Sequence, residues 1–201
     1  MDMDILRRRL TSDEINDLPL YHYTGPVLVI RSLNDWKQAL PDLQDENLLG
    51  FDTETRPSFR KGRRNAPALI QLATARSVYL VQLANLPFGA PVAEILANPS
   101  QVKAGVGIGD DMRDLARLHA FEPAGLVDLG GVARAHRLSS QGLRTLAANL
   151  FGWRISKGSQ CSNWSLKELT PRQIVYAATD AWVGRELYAR LDRAVDFFAH
   201  A

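Results

Sequence analysis

Leu48-Leu49-Gly50-Phe51-Asp52-Thr53-Glu54-Thr55 is the stretch on which the reading of this chain turns. Its apolar run is short and bounded by polar residues, as in a buried strand. The run ends at a carboxylate, and a second carboxylate follows two residues later. Alternation along a strand puts Asp52 and Glu54 on one face. Two carboxylates that close can share a divalent cation, or each can hold one of a pair. A merely polar strand end would read the same way. Against that stands the position of Asp52, directly after an apolar run, where an unpaired charge is costly.

Outward from this strand the chain alternates in character. Val27 to Ile30, Ala68 to Ala73 and Val78 to Gln82 read as strands, and Gln101 to Val106 is a further candidate. Behind Ser32, the residues Trp36, Ala39 and Leu40 make a short amphipathic helix. A helix is predicted from about Asp111 to His119, with Asp110 as its cap and Leu115 and Leu118 on the same side as Asp111. Leu126 to Leu129 is a brief extended segment, and from Ser140 onward the pattern is helical. This order predicts an α/β layer fold with a mixed central sheet flanked by helices. Residues 1–25 are expected to form an N-terminal helical extension with a loose connection. Thr11-Ser12-Asp13-Glu14 would cap its helix and Pro19 would end it. Residues 26–201 are expected to form the main domain. The last helix is the best marked: Thr170 caps it, Pro171 suits its first position, and Gln173 stands where a capping box needs its partner. Ala177, Ala181, Gly184, Tyr188 and Leu191 form its core-facing stripe.

The bulk numbers set bounds. With 201 residues, 46% of them hydrophobic, the chain can bury one good core. A net charge of +2 does not by itself announce a nucleic-acid binder. A single cysteine, Cys161, excludes an internal disulfide framework and a cysteine-built zinc site. The N-terminus lacks the layout of a signal peptide, and no apolar run is long enough for a membrane span. A soluble, cytoplasmic protein is the expectation.

Two further segments carry acids. Asp111 follows the glycine turn Gly105-Val106-Gly107-Ile108-Gly109-Asp110. In the final helix, Tyr176 and Asp180 lie one turn apart on one flank. Asp180 can bind a metal, and Tyr176 beside it can orient a water or serve as a base. Each segment alone has a plain structural reading. Together they place carboxylates from three parts of the chain where a fold can bring them to one point, and such a cluster needs cations. That is the make-up of a two-metal site for phosphodiester cleavage.

At this point the sequence resembles the DEDDy 3′–5′ exonucleases, the group that includes RNase D and the Werner-syndrome exonuclease domain. Asp52-Thr53-Glu54 matches the first motif of that family. Asp111 with Leu115 matches the second, and Tyr176 with Asp180 the third. Ala68 through Leu72 and Trp164 through Leu169 resemble the Werner-type branch. The resemblance implies a ribonuclease-H-like fold, two Mg²⁺ or Mn²⁺ ions, and stepwise release of mononucleotides from a 3′ end. Asp52, Glu54, Asp111 and Asp180 would then be the ligands, with Tyr176 completing the catalytic set.

The expected partner is nucleic acid with a free 3′ end, single-stranded or 3′-recessed, with DNA slightly favoured over RNA. Candidate substrate contacts are Thr53 between the two acids and the basic run Arg56, Arg60, Lys61, Arg63 and Arg64 directly after them. Lys157, in a polar loop, could meet a phosphate. Trp164 could stack on a base, and Met112 could touch the terminal nucleotide. Gly105-x-Gly107-x-Gly109 also invites a dinucleotide-binding reading, with Asp128 as its downstream acid. Aspartate at position 110, where a third glycine belongs, counts against it. The remaining alternative is a non-catalytic nucleic-acid- or protein-binding module on the same fold.

Overall fold

A six-stranded mixed sheet organises the computed structural model, which describes residues 8–57 and 65–199, with side chains described as far as Leu191. In chain order the elements are α1 (Ser12–Asp17), β1 (Leu20–Tyr21), β2 (Val27–Ile30), α2 (Leu33–Gln44), β3 (Leu48–Thr55), β4 (Pro67–Ala73), β5 (Val78–Gln82), α3 (Ala90–Ala97), β6 (Val102–Gly105), α4 (Ile108–Leu118), β7 (Leu126–Asp128), α5 (Leu129–Ala135), α6 (Leu143–Phe151), β8 (Arg154–Ile155) and α7 (Pro171–Ala199). The strands lie in the order β2-β5-β4-β3-β6-β7. β4 pairs antiparallel with β3 and β5, while β6 and β7 add in parallel beside β3 and β2 adds in parallel beside β5. A second, two-stranded sheet pairs Leu20 with Arg154 and Tyr21 with Ile155. Among the described residues, no helix is long and apolar enough to cross a membrane.

Strand periodicity divides the core. On one face Leu49, Phe51, Ile70, Leu72 and Val81 pack against Trp36 and Leu43 of α2, Leu96 of α3, and Met112 and Leu115 of α4. On the other, Leu69, Ala73, Val78 and Leu80 meet Ala177, Ala178 and Ala181 of α7. Asp52 and Glu54 share that second face with Gly50. There the helix rides directly on the strand. A Cβ added at Gly50 would stand 2.0 Å from the Ala181 carbonyl oxygen and 2.9 Å from Arg185 Cβ. Glycine at this position allows α7 to approach β3 closely enough to present Asp180 to Asp52.

Several expectations from sequence hold. Thr170 and Gln173 form a reciprocal cap, with the Gln173 N–H donating to Thr170 Oγ1 (3.3 Å) and the Thr170 N–H to Gln173 Oε1 (3.0 Å). Thr11 and Glu14 do the same for α1. Others need correction. β3 continues through Thr55, so Asp52 and Glu54 lie within the strand rather than at its end. Pairing with β4 carries it past the apolar run, since Asp52 lies opposite Gln71 and Glu54 opposite Leu69. α4 begins at Ile108, after Gly107 turns the chain at φ 74°. Asp110 is therefore not a cap but a first-turn residue paired with Arg113, and Leu118 is 46% exposed instead of facing inward. α3 had no counterpart among the predicted elements. The stretch after Ser140 is not continuously helical: Gly152, at φ 67°, ends α6, and β8 and a loop precede α7. The connection before Gly25 is also tied down. The Tyr23 N–H donates to Thr179 Oγ1 at 3.0 Å, and the Tyr23 ring is buried in the α7 core.

Candidate active site

The acidic residues of β3 and α7 line one cavity of about 420 Å³. Asp52, Glu54, Tyr176 and Asp180 contribute to its wall, with Arg144 and Lys157 completing it. The final-helix pair reaches the strand pair because α7 crosses β3 over Gly50. Asp111 joins differently. Thr53, whose side chain points away from Asp52 and Glu54, donates through Oγ1 to Asp111 Oδ1 at 2.8 Å. Asp111 therefore flanks the cavity through Thr53, and its charge is felt by both Asp52 and Glu54. Thr53 thus supports Asp111 and also lines the cavity. Its backbone N–H also donates to Asp52 Oδ1 at 2.9 Å.

The electrostatics of the site follow from crowding. Burial first, then the charges of Asp180 and Asp111, holds the Asp52 carboxyl well above the usual carboxylate range. Glu54 is pushed up to about 9 by burial and then by Asp52, Asp180 and Asp111, with Arg144 opposing. Asp180 rises to about 6 through burial, despite the Tyr176 hydrogen bond and the Arg144 charge that lower it. Among the described residues, the buried Asp180 Oδ1 has no hydrogen-bond partner. Such an arrangement of oxygens suits a hard divalent cation such as Mg²⁺ or Mn²⁺. The side chains are not already closed around one point: among the described residues, no three of His, Cys, Asp or Glu stand at ligand spacing.

Stability should depend on pH accordingly. The folded protein keeps a proton on Glu54 up to about pH 9, whereas the unfolded chain releases it near 4.5. Between these limits the folded state binds more protons, so stability falls as pH rises. Melting curves in chelator should therefore move to lower temperature from pH 5 to pH 9. Added Mg²⁺ or Mn²⁺ should raise the midpoint, and raise it more at pH 8 than at pH 6. A cation shift independent of pH would separate cation binding from these carboxylates.

Tyr176 is held against ionisation by burial, then by Asp180 and Glu54. Arg144 Nη2 donates to its hydroxyl at 3.2 Å. Its proton is thus retained more firmly than in water.

The remaining candidates separate cleanly. Lys157 is exposed and lines the cavity. Arg56 is exposed just beyond β3. Arg60, Lys61, Arg63 and Arg64 lie outside the described residues. Trp164 cannot stack on a base: it is 1% exposed and packs 5.9 Å from the Tyr176 ring, which it supports from behind. Met112 is also 1% exposed and belongs to the core on the opposite face. Both side chains are apolar, and the packing elements that cover them come from distant segments. Asp128, the acid of the dinucleotide reading, has a structural role instead, accepting the N–H groups of Gly107 (2.9 Å) and Gly130 (3.0 Å). The residue missed from sequence is Arg144. It stands in Gln141-Gly142-Leu143-Arg144, matches no motif, and meets the site only because α6 packs on α7.

Residues 28–196 match the family described as 3′–5′ exonuclease. The chain belongs to that family. Among curated relatives, the mouse bifunctional 3′–5′ exonuclease/ATP-dependent helicase WRN is 31% identical over 191 residues, covering 90% of this chain and 14% of the relative. Ribonuclease D of Gluconacetobacter diazotrophicus is 32% identical over 173 residues, covering 84% and 43%. The chain thus spans less than half of either relative. Among solved structures, the Nibbler EXO domain of Aedes aegypti superposes with a TM-score of 0.78 at 22% identity, covering 89% of this chain and 94% of that one. Escherichia coli RNase D gives 0.75, also at 22% identity, covering 85% and 45%. These likenesses bear out the ribonuclease-H-like fold implied by the three motifs.

Proposed function

We propose that this chain removes nucleoside monophosphates one at a time from the 3′ end of single-stranded or 3′-recessed nucleic acid, with two Mg²⁺ or Mn²⁺ ions, residues 26–201 forming the exonuclease domain. The observation that carries this reading is the meeting of Asp52, Glu54, Tyr176 and Asp180, from segments far apart in sequence, on one cavity also walled by two cationic side chains. Asp52, Glu54, Asp180 and Asp111, the last steadied by Thr53, would hold the ions. When bound, the ions supply Lewis-acid chemistry, making hydroxide available near neutral pH and easing departure of the 3′ oxygen. The Tyr176 hydroxyl, beside Asp180, would orient the attacking water through a hydrogen bond. Lys157, on its exposed loop, gives a point charge for the phosphate backbone.

A second cavity of about 550 Å³ adjoins the first and shares Tyr176 and Asp180 with it. Leu20 and Val175 are exposed there, 54% and 40%, and offer apolar surface to a base next to the scissile nucleotide. DNA is the favoured substrate, following the likeness to the Werner-type branch.

The deciding experiment compares 3′- and 5′-labelled single-stranded DNA, RNA and recessed duplex, with Mg²⁺, with Mn²⁺ and with chelator. Digestion from the 3′ end that stops in chelator supports the reading. Binding without digestion under every metal would instead identify a non-catalytic module. Tyr176→Phe should lower turnover about 10- to 100-fold while changing KM less than about twofold, because the hydroxyl acts on the water rather than on the bound strand. Steady-state kinetics on the preferred substrate check this, and unaltered turnover would reduce Tyr176 to a packing residue.

A further inference from the structure

Arg144 is placed where helix stability does not explain it. It is the second residue of α6, so its positive charge lies at the positive end of the helix dipole. Nη2 is anchored on two acceptors, the Ser156 carbonyl at 2.8 Å and the Tyr176 hydroxyl at 3.2 Å. Neither is a carboxylate, although the Arg144 charge reaches Glu54, Asp180 and Tyr176. Among the described residues, Nε and Nη1 have no protein hydrogen-bond partner, and the side chain lines the acidic cavity. The guanidinium is therefore fixed at one nitrogen and unengaged along the rest of its donor edge. A planar fork with several donors suits a phosphate, which can accept two parallel N–H groups.

We propose that Arg144 grips the scissile phosphate. Its Nε and Nη1 edge takes non-bridging oxygens, while Nη2 stays on the Tyr176 hydroxyl. One rigid group then ties the position of the phosphate to the orientation of the tyrosine beside it. Lys157 cannot do the same from its exposed loop, because a flexible ammonium neutralises charge without fixing geometry. This role rests on the nuclease reading and adds a substrate contact that none of the three acidic motifs contains.

Two measurements test it. In an Asp52→Asn background, which prevents digestion, fluorescence anisotropy of a labelled single-stranded oligonucleotide is followed against salt for Arg144, Arg144→Gln and Arg144→Lys. Arg144→Gln should weaken binding about tenfold or more and lower the salt slope by about one phosphate contact. Arg144→Lys should restore the slope but not the affinity. In the active background, losses from Arg144→Gln and Tyr176→Phe should be less than multiplicative, because both break one arrangement. Unchanged affinity and slope in Arg144→Gln, full recovery in Arg144→Lys, or multiplicative losses would overturn the proposal. Circular dichroism confirms that each variant is folded, and Arg144→Lys remains decisive if Arg144→Gln is not. Wild-type digestion with Mg²⁺ or Mn²⁺ tests the nuclease reading separately, so the two can fail independently.

Discussion

Asp52→Asn should abolish digestion and, in the same protein, raise the melting temperature measured in chelator. The two effects share one cause. The Asp52 carboxyl is half-buried and faces the charges of Asp180 and Asp111, so its ionised form is disfavoured in the folded state. Above the unfolded pKa, folding must either take up a proton or bury that charge, and both cost free energy. An amide of the same shape removes the cost, stabilising by about 1–3 kcal/mol, as is common when a functional site is relieved of its strain. For a chain of this size that is roughly 2–4 °C per kcal/mol. The amide also removes a ligand that the ions need, and turnover should fall by at least about 1000-fold, or about 4 kcal/mol of transition-state stabilisation. Asp180→Asn and Glu54→Gln should follow the same pattern. Digestion at more than about one per cent of wild type in Asp52→Asn would remove that residue from the catalytic set. A lowered melting temperature would mean that Asp52 is stabilising, contrary to its surroundings.

Gly50→Ala should be among the most damaging single changes in the sheet. The added methyl would meet the Ala181 carbonyl oxygen at 2.0 Å and the Ala181 carbonyl carbon at 3.0 Å, both backbone atoms. A rotamer change cannot relieve such a contact, so α7 must withdraw from β3. Overpacking of this kind costs about 3 kcal/mol or more when the backbone has to yield. The expected drop in melting temperature is about 6–12 °C. Activity per folded molecule should fall too, by about 100-fold, since a displacement near 1 Å of Asp180 from Asp52 is enough to spoil a catalytic arrangement. Gly109→Ala is the control. It lies in α4 near Asp111, and an added methyl there meets nothing within 4 Å. Its stability should be unchanged or up to about 1 kcal/mol higher, because alanine favours helix more than glycine does. Equal damage from both substitutions would contradict the close strand–helix approach as the cause.

Much of the site is legible in the chain's local patterns. Asp52 and Glu54 share a face because strands alternate, and Tyr176 and Asp180 share a flank because helices repeat every 3.6 residues. The caps at Thr11 and Thr170 are equally readable, since a capping box is completed within four residues. The limits of these elements are less so. β3 runs on to Thr55 because β4 pairs with it, a partner that its own residues do not reveal. Met112 and Trp164 stand beside motif residues in sequence, yet other segments bury both of them. Arg144 is the converse case, an unremarkable helix residue brought to the cavity by the packing of α6 on α7.

What the sequence determined by itself was the local set: the central strands, the capped helices at Thr11 and Thr170, and which acids share a face within an element. Those features depend on backbone geometry over a few neighbouring residues. Only the tertiary structure decided that Gly50 admits α7, that Asp111 arrives by way of Thr53, and that Arg144 rather than Trp164 faces the cavity. Burial and long-range contact are properties of what packs from elsewhere, and no short stretch of chain encodes its distant neighbours.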